Sequence, residues 1–356
     1  MSSKPGKLVL GFLVYSFTIV IVVAVASLWW LDHEFRKPGP LTEAKLFEVQ
    51  LGASSGGIAE LLLYEGAIRD MYIFKYAARI TGAQSDLKAG EYQLQPGMSA
   101  RDILSLMRKG TTFGRRFTIR EGLTSYEIVQ ILNGIEELSG DITKIPVEGT
   151  LLPNTYDYRR SEDRSEILTR LEREMENTVL TACRILLERV GGSTLKDMLD
   201  KECSPAPAPL KTIRDVLTLA SIVEKETGVA GERKRVAGVF INRLRQSIAL
   251  QTDPTVIYAI TKGRHKSDGR GPLGRRLLTK DLQIDNPYNT YKYPGLPPGP
   301  IANPGRASIE AVLEAEEHEY IFFVADGSGG HIFAKTLAEH NRNVAEWRKI
   351  RRSQKK

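Results

Sequence analysis

The sequence predicts an α+β chain carried behind one membrane-spanning helix, and three observations support this. The first is an uncharged run from Leu8 to Leu31. The second is a strand–turn–helix pattern that recurs three times between Phe47 and Ile131. The third is a helix around Leu219 that is apolar almost all the way round and still carries two carboxylates, Glu224 and Glu226.

The apolar run comes first. Its 24 residues make a helix of about 36 Å, enough to cross a bilayer core. Trp29 and Trp30 stand at its far end, where interfacial aromatics are expected. Lys4 and Lys7 precede it, while Asp32, Glu34, Arg36 and Lys37 nearly cancel after it. The positive-inside rule then leaves residues 1–7 in the cytoplasm, makes 8–31 the crossing and places the rest outside. The rival reading is a cleaved signal peptide, since Ala24-Val25-Ala26 is a cleavage-like site, but the apolar run continues past it. Residues 32–44 read as a linker.

The recurring pattern begins at Gly52, Gly97 and Gly122. Each glycine follows a strand-like run (Phe47-Glu48-Val49, Tyr92-Gln93-Leu94, Phe117-Thr118-Ile119) and precedes a helix-capping residue, Ser54, Ser99 or Thr124. Thr124 with Glu127 has the reciprocal capping-box spacing. The repeats lie 45 and 25 residues apart, so they are not a solenoid. Residues 162–190 read as a solvated helical pair, and the proline-alternating stretch 204–209 as a stiff connector.

The two carboxylates come next. A charge on a buried helix is paired or functional. Glu226 is the last helical residue before Thr227 and Gly228, and Gly228 is a natural left-handed terminator. A carboxyl group there is partly desolvated, and its raised pKa suits a general acid. At 100° per residue the two glutamates point about 200° apart, so they cannot share one cleft. Periodicity does not choose between them, and ion pairing with Lys225, Arg233 or Lys234 is open to both.

Composition narrows the rest. The 356 residues carry a net charge of +7 with 26% charged residues, ordinary for a folded chain and weak evidence for nucleic acid. The five histidines show no metal-ligand spacing, so neither a metal nor a cofactor is expected. Cys183 and Cys203 could pair outside the cytoplasm, although sequence does not show that they meet.

The segment from Leu219 onward resembles the MltG (YceG-like) endolytic murein transglycosylases. The resemblance runs through Glu226-Thr227, Phe240-Ile241-Asn242-Arg243-Leu244 and Leu250-Gln251-Thr252-Asp253-Pro254. It continues through Tyr288-Asn289-Thr290-Tyr291, Gly295-Leu296-Pro297-Pro298-Gly299, Gly329-Gly330-His331 and Glu339-His340-Asn341. In lytic transglycosylases a catalytic Glu ends a buried helix and is followed by Ser or Thr, which selects Glu226. The resemblance implies a LysM-like subdomain at 45–113, a connecting region at 114–210, a catalytic domain at 211–351 closed by a hairpin and helix, and a basic tail at 352–356. The bland alternative for 45–113 is a small α/β spacer. In the connecting region Leu152 and Asn154 replace the family's usual aromatic and Asp, while Glu148 remains.

Expected site residues are therefore Glu226 as acid and base, with Thr227, Asn242, Gln251, Asp253, Tyr288, Asn289, Tyr291 and Glu148 as substrate contacts. The implied substrate is peptidoglycan glycan strands, cleaved internally by an enzyme of the inner membrane, with peptidoglycan synthases as partners. Hydrolysis needs a second carboxylate, for which Asp253 and Glu224 are candidates. A non-catalytic wall-binding scaffold is the reading from another class.

Overall fold

The computed structural model describes residues 5–50, 52–111, 113–185, 194–265 and 271–353, with side chains from Phe12 onward. The ends of the expected cytoplasmic segment and basic tail, and the helical reading over 186–190, lie outside the described residues. The chain is mixed α and β and forms two compact units, 1–115 and 116–356.

The first unit opens with helix α1 (Pro5–Arg36), whose described apolar length from Phe12 to Leu31 buries no residue. Then follow β1 (Lys45–Val49), α2 (Ser55–Tyr64), α3 (Met71–Ile80), β2 (Gly90–Leu94) and α4 (Ala100–Lys109). β1 and β2 pair antiparallel, with Phe47 opposite Tyr92. Alternation sends Phe47 and Val49 inward, against Ile58, Leu62, Phe74, Ile103 and Met107. The expected linker at 32–44 is not a free tether. α1 runs into it as far as Arg36 and buries Phe35 in this core. The Gly39 amide then donates to the Met98 carbonyl at 3.1 Å, so closely that a Cβ at Gly39 would sit 2.2 Å from that oxygen.

The second unit contains β3, which begins at the boundary (Arg115–Thr118), α5 (Ser125–Asn133), β4 (Thr155–Tyr158), α6 (Arg164–Ala182) and α7 (Leu195–Met198). It continues with α8 (Ile213–Glu226), α9 (Arg233–Arg245), α10 (Asp253–Thr261), α11 (Arg306–Leu313), β5 (Phe322–Ala325), β6 (His331–Ala334) and α12 (Leu337–Ser353). β3 pairs with β4, and β5 with β6 as an antiparallel hairpin.

All three expected caps form. Gly52, Gly97 and Gly122 take φ of 81°, 71° and 76°, conformations that favour glycine. The next-but-one hydroxyl caps each helix: Ser54 accepts from Gly57, Ser99 from Asp102 and Thr124 from Glu127. Each such cap is worth about 1 kcal/mol.

Two expectations about the middle region are corrected. α6 is one helix with a buried face of Ile167, Leu171, Met175 and Val179, and the one charge on that face, Arg164, is spent on the Leu132 and Ile135 carbonyls. The stretch 204–209 does not extend as a spacer. It is a loop closed at its neck, where Cys203 donates its amide to Lys211 and Glu202 bridges to Thr212. Cys183, at the end of α6, and Cys203 form a disulfide. Within this unit α8 packs on α9, α10 and α11, and its residues from Leu219 to Val223 are fully enclosed.

Candidate active site

Helix α8 starts at a Thr212–Asp215 capping box. It ends at Thr227, whose extended backbone (φ −136°, ψ 127°) breaks the helix. The expected left-handed glycine does not form, since Gly228 has no positive φ. Instead the Thr227 hydroxyl accepts the Val229 amide at 3.0 Å and closes a local turn.

The two glutamates separate clearly. The Glu224 side chain is 5% exposed, accepts the Gly305 amide at 2.9 Å and lies 3.5 Å from the Arg233 guanidinium. It is an internal tie. Glu226 points the other way and accepts a hydrogen bond from the Thr252 hydroxyl. Burial pushes its carboxyl above the usual range, the Thr252 bond opposes this, and the nearby Asp253 charge adds to it. The neighbouring His331 and Arg243 partly offset the rise.

Thr252 was absent from the sequence-level candidates, yet the structure explains its position. It is the N-cap residue of α10, but its hydroxyl makes no cap bond and turns to Glu226 instead. Gln251 before it is left-handed at φ 53°. The Thr252 amide donates to the Thr290 hydroxyl at 3.1 Å, and the Thr255 hydroxyl donates to the Thr252 carbonyl at 2.7 Å. Two further buried threonines, Thr255 and Thr290, thus fix Thr252 as a donor to Glu226. The visible signal was two threonines flanking Asp253-Pro254 and a third inside Tyr288-Asn289-Thr290-Tyr291.

The expected substrate contacts divide into groups. Asp253 and Gln251 are exposed, and Asp253 accepts the Tyr291 hydroxyl at 2.7 Å. The Asn242 amide donates to the His318 and Tyr320 carbonyls at 2.6 and 3.1 Å. Asn289 is fully buried, donating to the Leu282 and Ile284 carbonyls and accepting from the Tyr291 amide. These two asparagines hold loops. Arg243, beside Asn242, donates to the Ile321, Ala249 and Leu250 carbonyls, and His331 contacts Glu232 at 2.7 Å.

Tyr288 and Glu148 form a second cluster. The Tyr288 ring lies 4.8 Å from that of Tyr258. Glu148 accepts from the Ser125 amide and hydroxyl and from Asn303, and burial nevertheless raises its carboxyl to about 7. Helix α10 spans both clusters, with Asp253 at the Glu226 end and Tyr258 beside Glu148. Among the described residues no group of three or more His, Cys, Asp and Glu side chains is placed to hold a metal ion.

Residues 47–346 match the YceG-like family. The chain belongs to that family. It is 32% identical over 322 residues to an endolytic murein transglycosylase of Bacillus subtilis (strain 168), covering 82% of this chain and 81% of that one. It is 31% identical to the endolytic murein transglycosylase of Streptococcus pneumoniae (strain D39), of whose length it spans 57%. A solved yceG-like protein from Listeria monocytogenes aligns with 30% identity over 85% of this chain and 99% of its own, at a TM-score of 0.48.

Proposed function

We propose that this chain is an endolytic peptidoglycan transglycosylase that uses Glu226 as its single acid and base. The observation that carries the proposal is the Glu226 carboxyl itself, which ends a buried helix, is desolvated and is held by the Thr252 hydroxyl. The names of the relatives support the substrate class.

Protonated Glu226 gives its proton to the oxygen joining N-acetylmuramic acid to N-acetylglucosamine, and that bond breaks. The carboxylate then takes the proton of the muramyl 6-hydroxyl, whose oxygen bonds to the anomeric carbon. Glu226 ends reprotonated, no water is consumed, and the product is a 1,6-anhydro end. One carboxyl group with a raised pKa suffices for both steps. Glu224 is held by Gly305 and Arg233, which leaves Asp253 as the carboxylate a hydrolytic route would recruit.

Asp253, Gln251, Tyr291 and Tyr288 meet glycan in this reading. Thr227, Asn242 and Asn289 shape the site from behind, and Glu148 braces α10 through Tyr258. The apolar α1 serves as a single inner-membrane crossing with a cytoplasmic N-terminus and a periplasmic catalytic region. Residues 45–113 act as a LysM-like glycan-binding subdomain, and cleavage ends nascent strands beside the synthases that extend them. Exposed Tyr64, Tyr72 and Tyr76 offer that subdomain ring surface for sugars.

The test is digestion of uncrosslinked glycan strands in heavy-oxygen water. Anhydro ends without label, with long strands shortened before small fragments accumulate, are expected. Label at new muramyl ends would establish hydrolysis. Tight glycan binding without cleavage would leave only a scaffold.

A further inference from the structure

The first unit holds a cavity of about 810 Å³ that plays no part in the chemistry above. Lys88, Arg101, Arg108 and Lys109 line it, against one acid, Asp86. Arg101 and Arg108 stand two turns apart on one face of α4. Asp86 does little to neutralise them, since its contact with Arg108 is 3.6 Å and both side chains are about half exposed. Lys88 spends one donor on the Lys109 carbonyl at 3.3 Å and has two left. The concavity therefore gathers cations that have few partners among the described residues.

Its position gives the site meaning. The cavity is also lined by Phe35, in the last turn of α1. The apolar run of α1 ends at Leu31, four residues earlier, which is a rise of about 6 Å. Headgroup regions occupy roughly 5–8 Å on each side of the hydrocarbon core. The cavity thus opens at phosphate depth. The acids at that level are already engaged, Asp32 with Arg36 at 2.7 Å and Glu34 with Lys37.

We infer that this cavity binds the phosphate of an anionic membrane lipid in the leaflet that the end of α1 reaches. The site rests on the reading of α1 as a bilayer crossing, but not on the cleavage reaction. Arg101 and Arg108 present paired N–H donors to the phosphate oxygens, and Lys88 and Lys109 add charge.

The test uses the full chain in zwitterionic detergent, titrated with short-chain phosphatidic acid, short-chain phosphatidylcholine or inorganic phosphate. Phosphatidic acid should bind with salt-sensitive affinity, phosphatidylcholine far more weakly and inorganic phosphate more weakly than phosphatidic acid. Arg101→Gln and Arg108→Gln should each weaken phosphatidic acid about fivefold. Asp86→Asn should tighten it, and Lys75→Gln on α3 should change nothing. Thermal unfolding checks the fold of each variant, and glycan cleavage is measured beside lipid binding. Equal affinity for both lipids, or indifference to the arginine changes in folded protein, overturns the inference. Inorganic phosphate binding as tightly as the lipid would also overturn it by reassigning the site to a free anion. Because binding and cleavage are read separately, loss of one leaves the other standing.

Discussion

Glu224→Ala should cost stability and spare cleavage, whereas Glu226→Gln should do the reverse. Glu224 is buried, takes the Gly305 amide and faces Arg233. Removing one partner of a buried pair costs about 3–5 kcal/mol. Glu121 still reaches Arg233 at 3.3 Å from a half-exposed position, so the lower end, about 3 kcal/mol, applies. For a unit of this size that lowers Tm by about 6–12 °C.

Glu226 behaves oppositely because burial raises its pKa. A raised carboxyl favours the folded state while protonated, and that advantage is lost as pH rises through the folded pKa. At neutral pH its ionised form is therefore a liability. The glutamine removes the charge, and Tm should hold or rise. The amide cannot give up a proton to the leaving oxygen, so cleavage should fall about 10²-fold or more. The assay pairs thermal unfolding with chromatography of released muropeptides. A dead Glu224→Ala with unchanged Tm, beside an active Glu226→Gln, would refute the assignment.

Thr252→Val keeps the shape and deletes the donor that favours ionised Glu226. The alkaline limb of the pH–rate profile should then move to higher pH, and a downward move would contradict the donor role. Glu148, raised to about 7 by burial, should contribute stability on the order of 3 kcal/mol that is present below its unfolded pKa and lost as pH rises towards 7. Denaturant titrations between pH 4 and 8 should show that slope in the parent and a flatter one in Glu148→Gln. Reducing the Cys183–Cys203 bridge, which closes 20 residues of chain, should cost about 3 kcal/mol by loop entropy. Calorimetry with and without reductant reads it, and an unchanged Tm would show that the bridge does not hold the fold.

The readable parts of the sequence were those set by neighbours in the chain. Ser54, Ser99 and Thr124 cap the helices that follow them because a cap needs only an amide two or three residues on. The apolar run of α1 and the hairpin around Gly329 are equally local. The partners of Glu224 and Glu226 were not readable by periodicity, since Gly305 and Thr252 lie 81 and 26 residues away. Resemblance, not periodicity, selects Glu226, and its catalytic role remains the proposal made above. Asn242 and Asn289 read as substrate ligands because an amide in a cleft motif looks free in one dimension. Their partners are loop carbonyls that folding brings in. Thr252 was overlooked because a threonine before Asp-Pro reads as an ordinary helix cap.

The junction between α1 and the first core has a mechanical consequence. A helix that enters its own domain through a buried Phe35, followed by a Gly39 turn that leaves no room for a Cβ, has no slack. If α1 crosses a bilayer as proposed above, the first unit forms a collar whose height above the lipid is set by helical rise, not by the wandering of a coil. Inserting one residue between Leu31 and Phe35 would rotate the collar by about 100° as well as lift it by about 1.5 Å. Length and facing are therefore coupled at this joint, and any variation in reach must come in steps of whole helical turns.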